Sequence, residues 1–203
     1  MTKVRCNCWY AISNIKININ NSNFYANDGF GTSILNYYGN VKIKDSSFTG
    51  SQSSSNSALI ENLTGSIVIE AVNKAVVLSN NKPSSSSSGG AILNTENLTI
   101  ETKGNTITFS GNAAQQGGAI CAYEDATTPR NTTTIKATNG DITFDGNYVF
   151  AGYVGDGGAI SSNGILGLYA KDGQSITFVG GEEAGKEDID GIYNTNVLNI
   201  NGN

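Results

Sequence analysis

The tetrapeptide Gly89-Gly90-Ala91-Ile92 returns as Gly117-Gly118-Ala119-Ile120 and again as Gly157-Gly158-Ala159-Ile160. A chain that repeats itself at 20–50 residues folds as stacked units, each of which buries its apolar side only against its neighbours. A second motif precedes the glycine pairs. Phe109-Ser110-Gly111-Asn112 and Phe144-Asp145-Gly146-Asn147 match each other, and Phe24-Tyr25-Ala26-Asn27 is a third copy. Val77-Leu78-Ser79-Asn80, Phe48-Thr49-Gly50-Ser51 and Phe178-Val179-Gly180-Gly181 occupy the same slot with one anchor changed. Between each glycine motif and the next aromatic lies a short alternating run such as Leu98-Thr99-Ile100, Ile135-Lys136-Ala137 or Leu166-Gly167-Leu168. Earlier runs are Ile15-Lys16-Ile17, Val41-Lys42-Ile43 and Ile67-Val68-Ile69, and Val197-Leu198-Asn199-Ile200 begins one more.

The anchors at 24, 48, 77, 109, 144 and 178 are 24, 29, 32, 35 and 34 residues apart. A constant order of short runs at varying spacing means one coil per repeat with insertions at the corners. Alternation with period two, without ten-residue amphipathic stretches, reads as strand and not helix. Composition agrees: 27 Asn, 21 Ser and 18 Thr, roughly a third of 203 residues, favour turns and strands over helices. The chain is therefore expected to be all-β, a parallel β-helix (solenoid) of about six to seven coils with three short strands per coil. At a strand spacing of about 4.8 Å the core would be roughly 30 Å long. In this geometry the glycine pairs Gly89-Gly90, Gly117-Gly118 and Gly157-Gly158 permit a corner with positive φ and close approach of the coils above and below. Ile92, Ile120 and Ile160 face inward and stack. Phe109 and Phe144 also face in, and Asn112 and Asn147 are placed to form a hydrogen-bonded ladder. Residues 1–12 fall outside the pattern as a cap or arm, and residues 13–203 form the repeat domain, expected to continue past the C-terminus in a parent protein.

Several function classes close on composition. The chain has no His, which removes Ser-His-Asp and Cys-His catalysis and imidazole metal sites. A net charge of −5 with Arg5 and Arg130 as the only arginines leaves no footprint for nucleic acid. Cys6, Cys8 and Cys121 are too few for a disulfide scaffold and lack the second pair of a zinc site, so they read as free thiols. No stretch approaches a membrane-spanning helix, and the first dozen residues are too polar for a signal peptide.

The pairing of repeated Gly-Gly-Ala-Ile with Phe-x-x-Asn resembles the chlamydial polymorphic membrane proteins. The match rests on the three glycine tetrapeptides and on the copies at Phe24, Phe109 and Phe144, and it covers residues 13–203, most strongly 77–181. Asp188-Ile189-Asp190-Gly191-Ile192-Tyr193-Asn194 and the residues after it are similar to autotransporter passenger coils. The resemblance implies a right-handed parallel β-helix, secreted as a passenger on an outer-membrane β-barrel and acting at the cell surface as an adhesin toward host cells. The barrel, a signal peptide and some anchors of the first coils are not found in this sequence.

Contact surfaces are sought in the insertions, because the core accounts for the motifs. The segment 148–156 brings Tyr148, Phe150 and Tyr153 to the corner before Gly157, beside Ala113–Gln116 and the acidic stretch 182–188. These aromatics are candidates for contact with a sugar ring or protein groove; the alternative is that two of them fold back over the rod. Ser84–Ser88 reads as a solvated loop. A different corner, 122–134, offers Tyr123 and Arg130. The partner expected is a host-surface protein or glycan. An end-to-end filament through open coil edges is the alternative. A polysaccharide lyase or hydrolase ranks lower, since Asp141, Asp145 and Asp156 sit in ordinary corner sequences and Glu182, Glu183, Glu187 and Asp188 have only Lys186 beside them. No catalytic residue, metal or cofactor is expected.

Overall fold

The computed structural model describes residues 16–25, 32–50, 58–83, 86–123, 131–150, 157–180 and 191–202. Every regular element in them is a strand, and every strand pairing is parallel. The strands stack in three rows, which a single coil visits in turn.

The first, the Ile row, contains β7 (Ile92–Asn94), β11 (Ile120–Ala122), β15 (Ile160–Ser162) and β18 (Ile192–Asn194), together with the opening residues of β3 (Ile34–Lys44) and β5 (Ile60–Ala71). Its register places Ile34, Ile60, Ile92, Ile120, Ile160 and Ile192 in one column. The second, the long row, runs from β1 (Lys16–Asn20) through the later halves of β3 and β5 to β8 (Asn97–Lys103), β12 (Thr132–Asn139), β16 (Ile165–Ala170) and β19 (Leu198–Gly202). One of its inward columns is Ile19, Ile43, Ile69, Ile100, Ile135, Leu168 and Ile200. The third, the Phe row, holds β2 (Asn23–Tyr25), β4 (Ser47–Thr49), β6 (Val76–Ser79), β9 (Ile107–Ser110), β13 (Ile142–Asp145) and β17 (Ile176–Val179).

Alternation explains the partition: inward positions are aliphatic or aromatic and outward ones polar, so each strand feeds one central core. Phe48, Ile60, Ile92, Ile100, Phe109, Ile120 and Phe144 are all fully buried in it. Each such side chain contributes about 1.5–3 kcal/mol of apolar burial, so the columns supply the main stabilisation. About four turns have an enclosed interior, fewer than the six to seven coils read from the repeats. The outer rungs β1, β2, β17, β18 and β19 are strands too, but their inward side chains are only partly covered.

Two details depart from the sequence reading. In β3 and β5 the first two strands of the coil fuse into one, so the Ile and long rows form a single 11-stranded sheet. The strand turns the corner at Gly39 and Gly65. Gly65 has φ +105°, and a Cβ there would lie 2.1 Å from the Gly39 carbonyl oxygen. The second departure is a register slip of one residue in the motif at Val77. It is Leu78 that pairs with Phe48 and Phe109, so the anchor is Leu78 and its asparagine is Asn81. Asn80 takes the corner position that glycine fills at 111 and 146, with φ +55° against +60° and +58°; asparagine tolerates this left-handed backbone where most residues do not.

The glycine pairs act as expected. Gly89, Gly117 and Gly157 have φ between +57° and +72°. A Cβ on Gly90 or Gly118 would come within 2.2 Å of the carbonyl oxygen of the equivalent glycine in the next coil.

Candidate interaction surface

The corner from the Phe row to the Ile row is closed by hydrogen bonds. Asn81, Asn112 and Asn147 form a buried ladder, each amide donating to the next side-chain oxygen at 2.9 Å. The Asn112 and Asn147 amides also donate to the Leu78 and Phe109 carbonyls, at 2.8 and 2.9 Å. Just beyond it, β10 (Ala113–Ala114) pairs with β14 (Tyr148–Val149). This corrects the contact role expected of Tyr148. Its side chain is 8% exposed and stacked into the wall, with the Lys82 ammonium 5.3 Å from the ring centroid. Phe150 is half-buried edge-on against it, at 6.1 Å, and its N–H donates to the Ala114 carbonyl. The fold-back alternative describes both residues. The solvated loop at Ser84–Ser88 is also corrected in part: Ser87 is buried and accepts from the Gln115 N–H, and Ser88 bridges to Gln116. Tyr153, Arg130, Asp156, Glu182, Glu183, Glu187 and Asp188 lie outside the described residues, as do Cys6, Cys8 and the whole of residues 1–12.

The corner from the long row to the Phe row is polar and locally tied. Asp45, with φ +52°, accepts the N–H groups of Val72, Asn73 and Lys74 at 2.7, 2.9 and 3.3 Å. Burial pushes its carboxyl up, but these bonds outweigh it and hold the group below the usual carboxylate range. Asp141 does the same for Ser175, accepting its N–H and hydroxyl at 2.8 and 2.9 Å. It therefore has a structural partner and does not stand as a free carboxylate. On the outer face of the long row, Glu70 is paired with Lys42 at 2.8 Å and Lys103 at 2.7 Å. Burial raises the Glu70 carboxyl and the two ammonium groups more than offset this, leaving it lowered. Among the described residues no group of three or more His, Cys, Asp or Glu is placed to hold a metal ion.

The third corner, from the Ile row to the long row, is different. Beneath it runs a second asparagine ladder that sequence reasoning missed. Asn36 donates to Asn62 at 2.7 Å, Asn62 to Asn94 at 2.7 Å, and Asn94 to Asn131 at 2.9 Å. The signal was present, since Ile34-Leu35-Asn36, Ile60-Glu61-Asn62 and Ile92-Leu93-Asn94 repeat the pattern Ile-x-Asn. In the following coil Ala122 holds the equivalent place on β11, and Asn131 fills the ladder position from the far side of the insertion.

Above this ladder the surface is apolar. Leu35, Tyr37, Tyr38, Tyr123 and Ile165 are all more than 40% exposed, and all lie at or next to this corner. The other exposed large apolar residues among those described, such as Tyr25, Val179 and Ile200, belong to the outer rungs, and the part of β3 that carries Leu35, Tyr37 and Tyr38 is itself the first described rung of the Ile row. Tyr123 is held at the corner by its N–H on the Asn94 carbonyl, 2.9 Å. The pairing with β5 is irregular here, skipping Leu63 on β5 and then Tyr38 on β3, so that Asn36–Gly39 and Asn62–Gly65 have the same length. The Tyr38 φ of +69° is an outlier for a bulky side chain. The conformation is secured by Asn36, whose side chain accepts the Gly39 N–H at 3.1 Å and donates to the Gly39 carbonyl at 3.0 Å. The Tyr37 and Tyr38 rings meet edge to face, 4.6 Å apart at 85°. A side-chain hydrogen bond with Tyr37, which favours the neutral Tyr38 phenol, pushes that phenol up.

Comparison with known proteins bears on these coils. Residues 106–123 and 141–163 match the Chlamydia polymorphic membrane protein repeat. Two of its coils are thus similar to polymorphic membrane protein repeats. Each matched segment opens at the Phe row and ends just past the Ile row, so the match takes in the Phe, the ladder Asn, the glycine pair and the Ile. The long-row strands fall outside the matched segments, and Tyr123 of the exposed corner is the last residue of the first segment. A stretch of 50 residues is 42% identical to the "Probable outer membrane protein PmpH" of Chlamydia trachomatis serovar D. That stretch is 25% of this chain and 5% of the relative, so the chain spans a small fraction of that protein. No solved structure matches the chain.

Proposed function

We propose that this solenoid is part of a surface passenger of the outer-membrane type, a non-catalytic scaffold that binds ligands outside the cell through the corner carrying Tyr37, Tyr38 and Tyr123. The observation that carries the reading is the segregation of exposed apolar side chains. A parallel β-helix buries its own apolar residues in columns, so an edge that keeps five of them in water has no use in folding. Tyrosine supplies large contact area with few rotatable bonds, which suits an interface. The repeat match and the outer-membrane relative support the location. Binding of the purified chain to cultured mammalian cells tests it. Replacement of Tyr37, Tyr38 and Tyr123 together by Ser should abolish binding, whereas equal binding by the triple variant refutes the assignment of this edge.

One observation favours a second reading, end-to-end assembly. The inward and outward residues of β1, Ile17-Asn18-Ile19-Asn20, are matched at β19 by Leu198-Asn199-Ile200-Asn201. Stacked in register, one copy would continue the columns of another. A sedimentation coefficient independent of concentration would exclude it.

A further inference from the structure

The two sides of β3 are paired unequally. β5 runs beside the whole strand, whereas β1 joins it from Asn40 onward, starting with Lys16. Residues 34–39 therefore have β5 on one side and no described strand on the other. At each junction of the Ile row, the isoleucine N–H of one coil donates to the carbonyl that precedes the isoleucine of the next: Ile34 to Leu59, Ile60 to Ala91, Ile92 to Ala119, Ile120 to Ala159 and Ile160 to Gly191. Neighbouring residues of a strand turn their N–H groups to opposite sides, so the Leu35 N–H faces away from β5. Such an edge is a template for another strand. The asparagine ladder is open at the same end. The side-chain oxygens of Asn62, Asn94 and Asn131 each accept the amide of an earlier coil, whereas the Asn36 oxygen accepts the N–H of Gly39 in its own coil. A carbonyl oxygen has two lone pairs, and the Asn94 oxygen takes a local N–H, that of Glu96, as well as the Asn62 amide.

The chain itself supplies an occupant. Residues 1–15 lie outside the described residues and lead directly into Lys16, at the end of the open edge. Because β1 is parallel to β3, the residues before Lys16 arrive beside those before Asn40. They read Ala11-Ile12-Ser13-Asn14, which is the Ile-x-Asn of the ladder preceded by the alanine of Gly-Gly-Ala-Ile. The step to the first inward residue of the long row also fits. It is seven residues from Ile34 to Val41 and from Ile60 to Ile67, and six from Ile92 to Leu98, Ile160 to Leu166 and Ile192 to Leu198. From Ile12 to Ile17 it is five, a corner one residue shorter. Tyr10 stands where later coils have the second glycine, but Thr32 and Ala58 hold that place in the first two described coils, so a side chain is accommodated at this end.

We infer that residues 11–14 dock on the open edge of β3 as a further rung of the Ile row. Ile12 extends the isoleucine column above Ile34, the Asn14 amide donates to the Asn36 oxygen, and the Ile12 carbonyl accepts the Leu35 N–H. Ser13 takes the outward place beside Leu35 and has little apolar surface to cover it. The tyrosine rings of the corner stay outside this rung, so the inference stands apart from the binding reading. The test is amide hydrogen exchange, resolved by residue, on the 203-residue chain and on two variants. The Leu35 amide is expected to be protected in the parent. Ile12→Asp places a charge in the apolar column and should speed exchange at Leu35 at least tenfold, whereas Ser13→Asp, on the outward side, should leave it unchanged. The Ile120 and Ile160 amides should keep their protection in both variants, which shows that the rest of the solenoid is intact. Fast exchange at Leu35 in the parent, or an equal response to the two variants, overturns the inference. Protection at Leu35 that rises with protein concentration gives the edge to a second copy and overturns it too.

Discussion

Asn94 lies at the centre of the ladder under the exposed corner, and its removal is the sharpest test of how these coils are held together. Its side chain is fully buried. Its oxygen accepts the Asn62 amide at 2.7 Å, and its nitrogen donates to Asn131 at 2.9 Å, to the Glu96 carbonyl at 3.0 Å and to the Thr133 hydroxyl at 3.1 Å. In Asn94→Leu the volume stays filled but both ladder neighbours lose a partner. Asn62 still reaches the Asn97 carbonyl at 3.1 Å, and the Asn131 oxygen keeps only a long contact from Thr133 at 3.5 Å. Two buried polar groups left short of a partner cost about 1–3 kcal/mol each, so Asn94→Leu should destabilise by about 2–6 kcal/mol. Asn94→Ala should cost at least as much, since it adds a cavity. The exposed Asn139 gives the control, with Asn139→Ala within about 0.5 kcal/mol of the parent. Urea denaturation gives the size and amide hydrogen exchange the location, with protection expected to fall first in residues 60–71 and 131–139. If Asn94→Leu matched the parent within error, the amide ladder would be dispensable and burial alone would hold the corner.

The remaining predictions use other features. Gly118→Ala places a Cβ 2.2 Å from the Gly158 carbonyl oxygen and should prevent native stacking, whereas Gly173→Ala, at φ +77° with nothing within 4 Å, should cost only about 1–2 kcal/mol by thermal melting. Phe144 stacks on Phe109 and Phe178 at 4.8 Å each, so Phe144→Leu should lose about 1–3 kcal/mol and Phe109→Leu less, because Leu78 already breaks the stack on its other side. Asp45 titrates below its unfolded value, so its contribution is complete above about pH 4 and is lost as the pH falls through the lowered native pKa. Asp45→Ala should therefore be destabilised at pH 7, with the gap to the parent closing in acid. The Ser162 hydroxyl is buried without a partner, so Ser162→Ala should be neutral or stabilising by up to about 1 kcal/mol in urea denaturation.

Repetition made the fold legible, because a motif that recurs in order dictates stacking whatever its spacing. The inward columns, the glycine corners and the Asn112–Asn147 ladder all follow from periods of two and of one coil. The slip at Val77 shows the limit. Sequence similarity placed the asparagine at 80, but an asparagine can either occupy the left-handed corner or donate to the ladder, and only the register of Leu78 against Phe109 separates the two roles. Tyr148 failed for another reason. Its approach to the glycine motif looked like a loop, yet the two-residue pairing with Ala113 and Ala114 is too short to leave a periodic signal. The tyrosine edge was hidden because exposure is a property of neighbouring coils: Leu93 is half-buried and Leu35 exposed in the same column of the Ile row.

The same geometry divides the chain into parts that can and cannot change. A residue in a column must fit the residues above and below, so any replacement is judged twice, and a Gly118 or an Asn94 has no neutral alternative. A residue at the exposed corner meets only water on its outer side, and the corner tolerates the whole insertion between Ala122 and Asn131 without breaking the ladder, since Asn131 re-enters it on the far side. The ladder thus fixes the two ends of an insertion and leaves its contents free. A scaffold with that property can alter what it binds by altering the corner alone, while its Phe, Asn, Gly and Ile positions stay as the repeat requires.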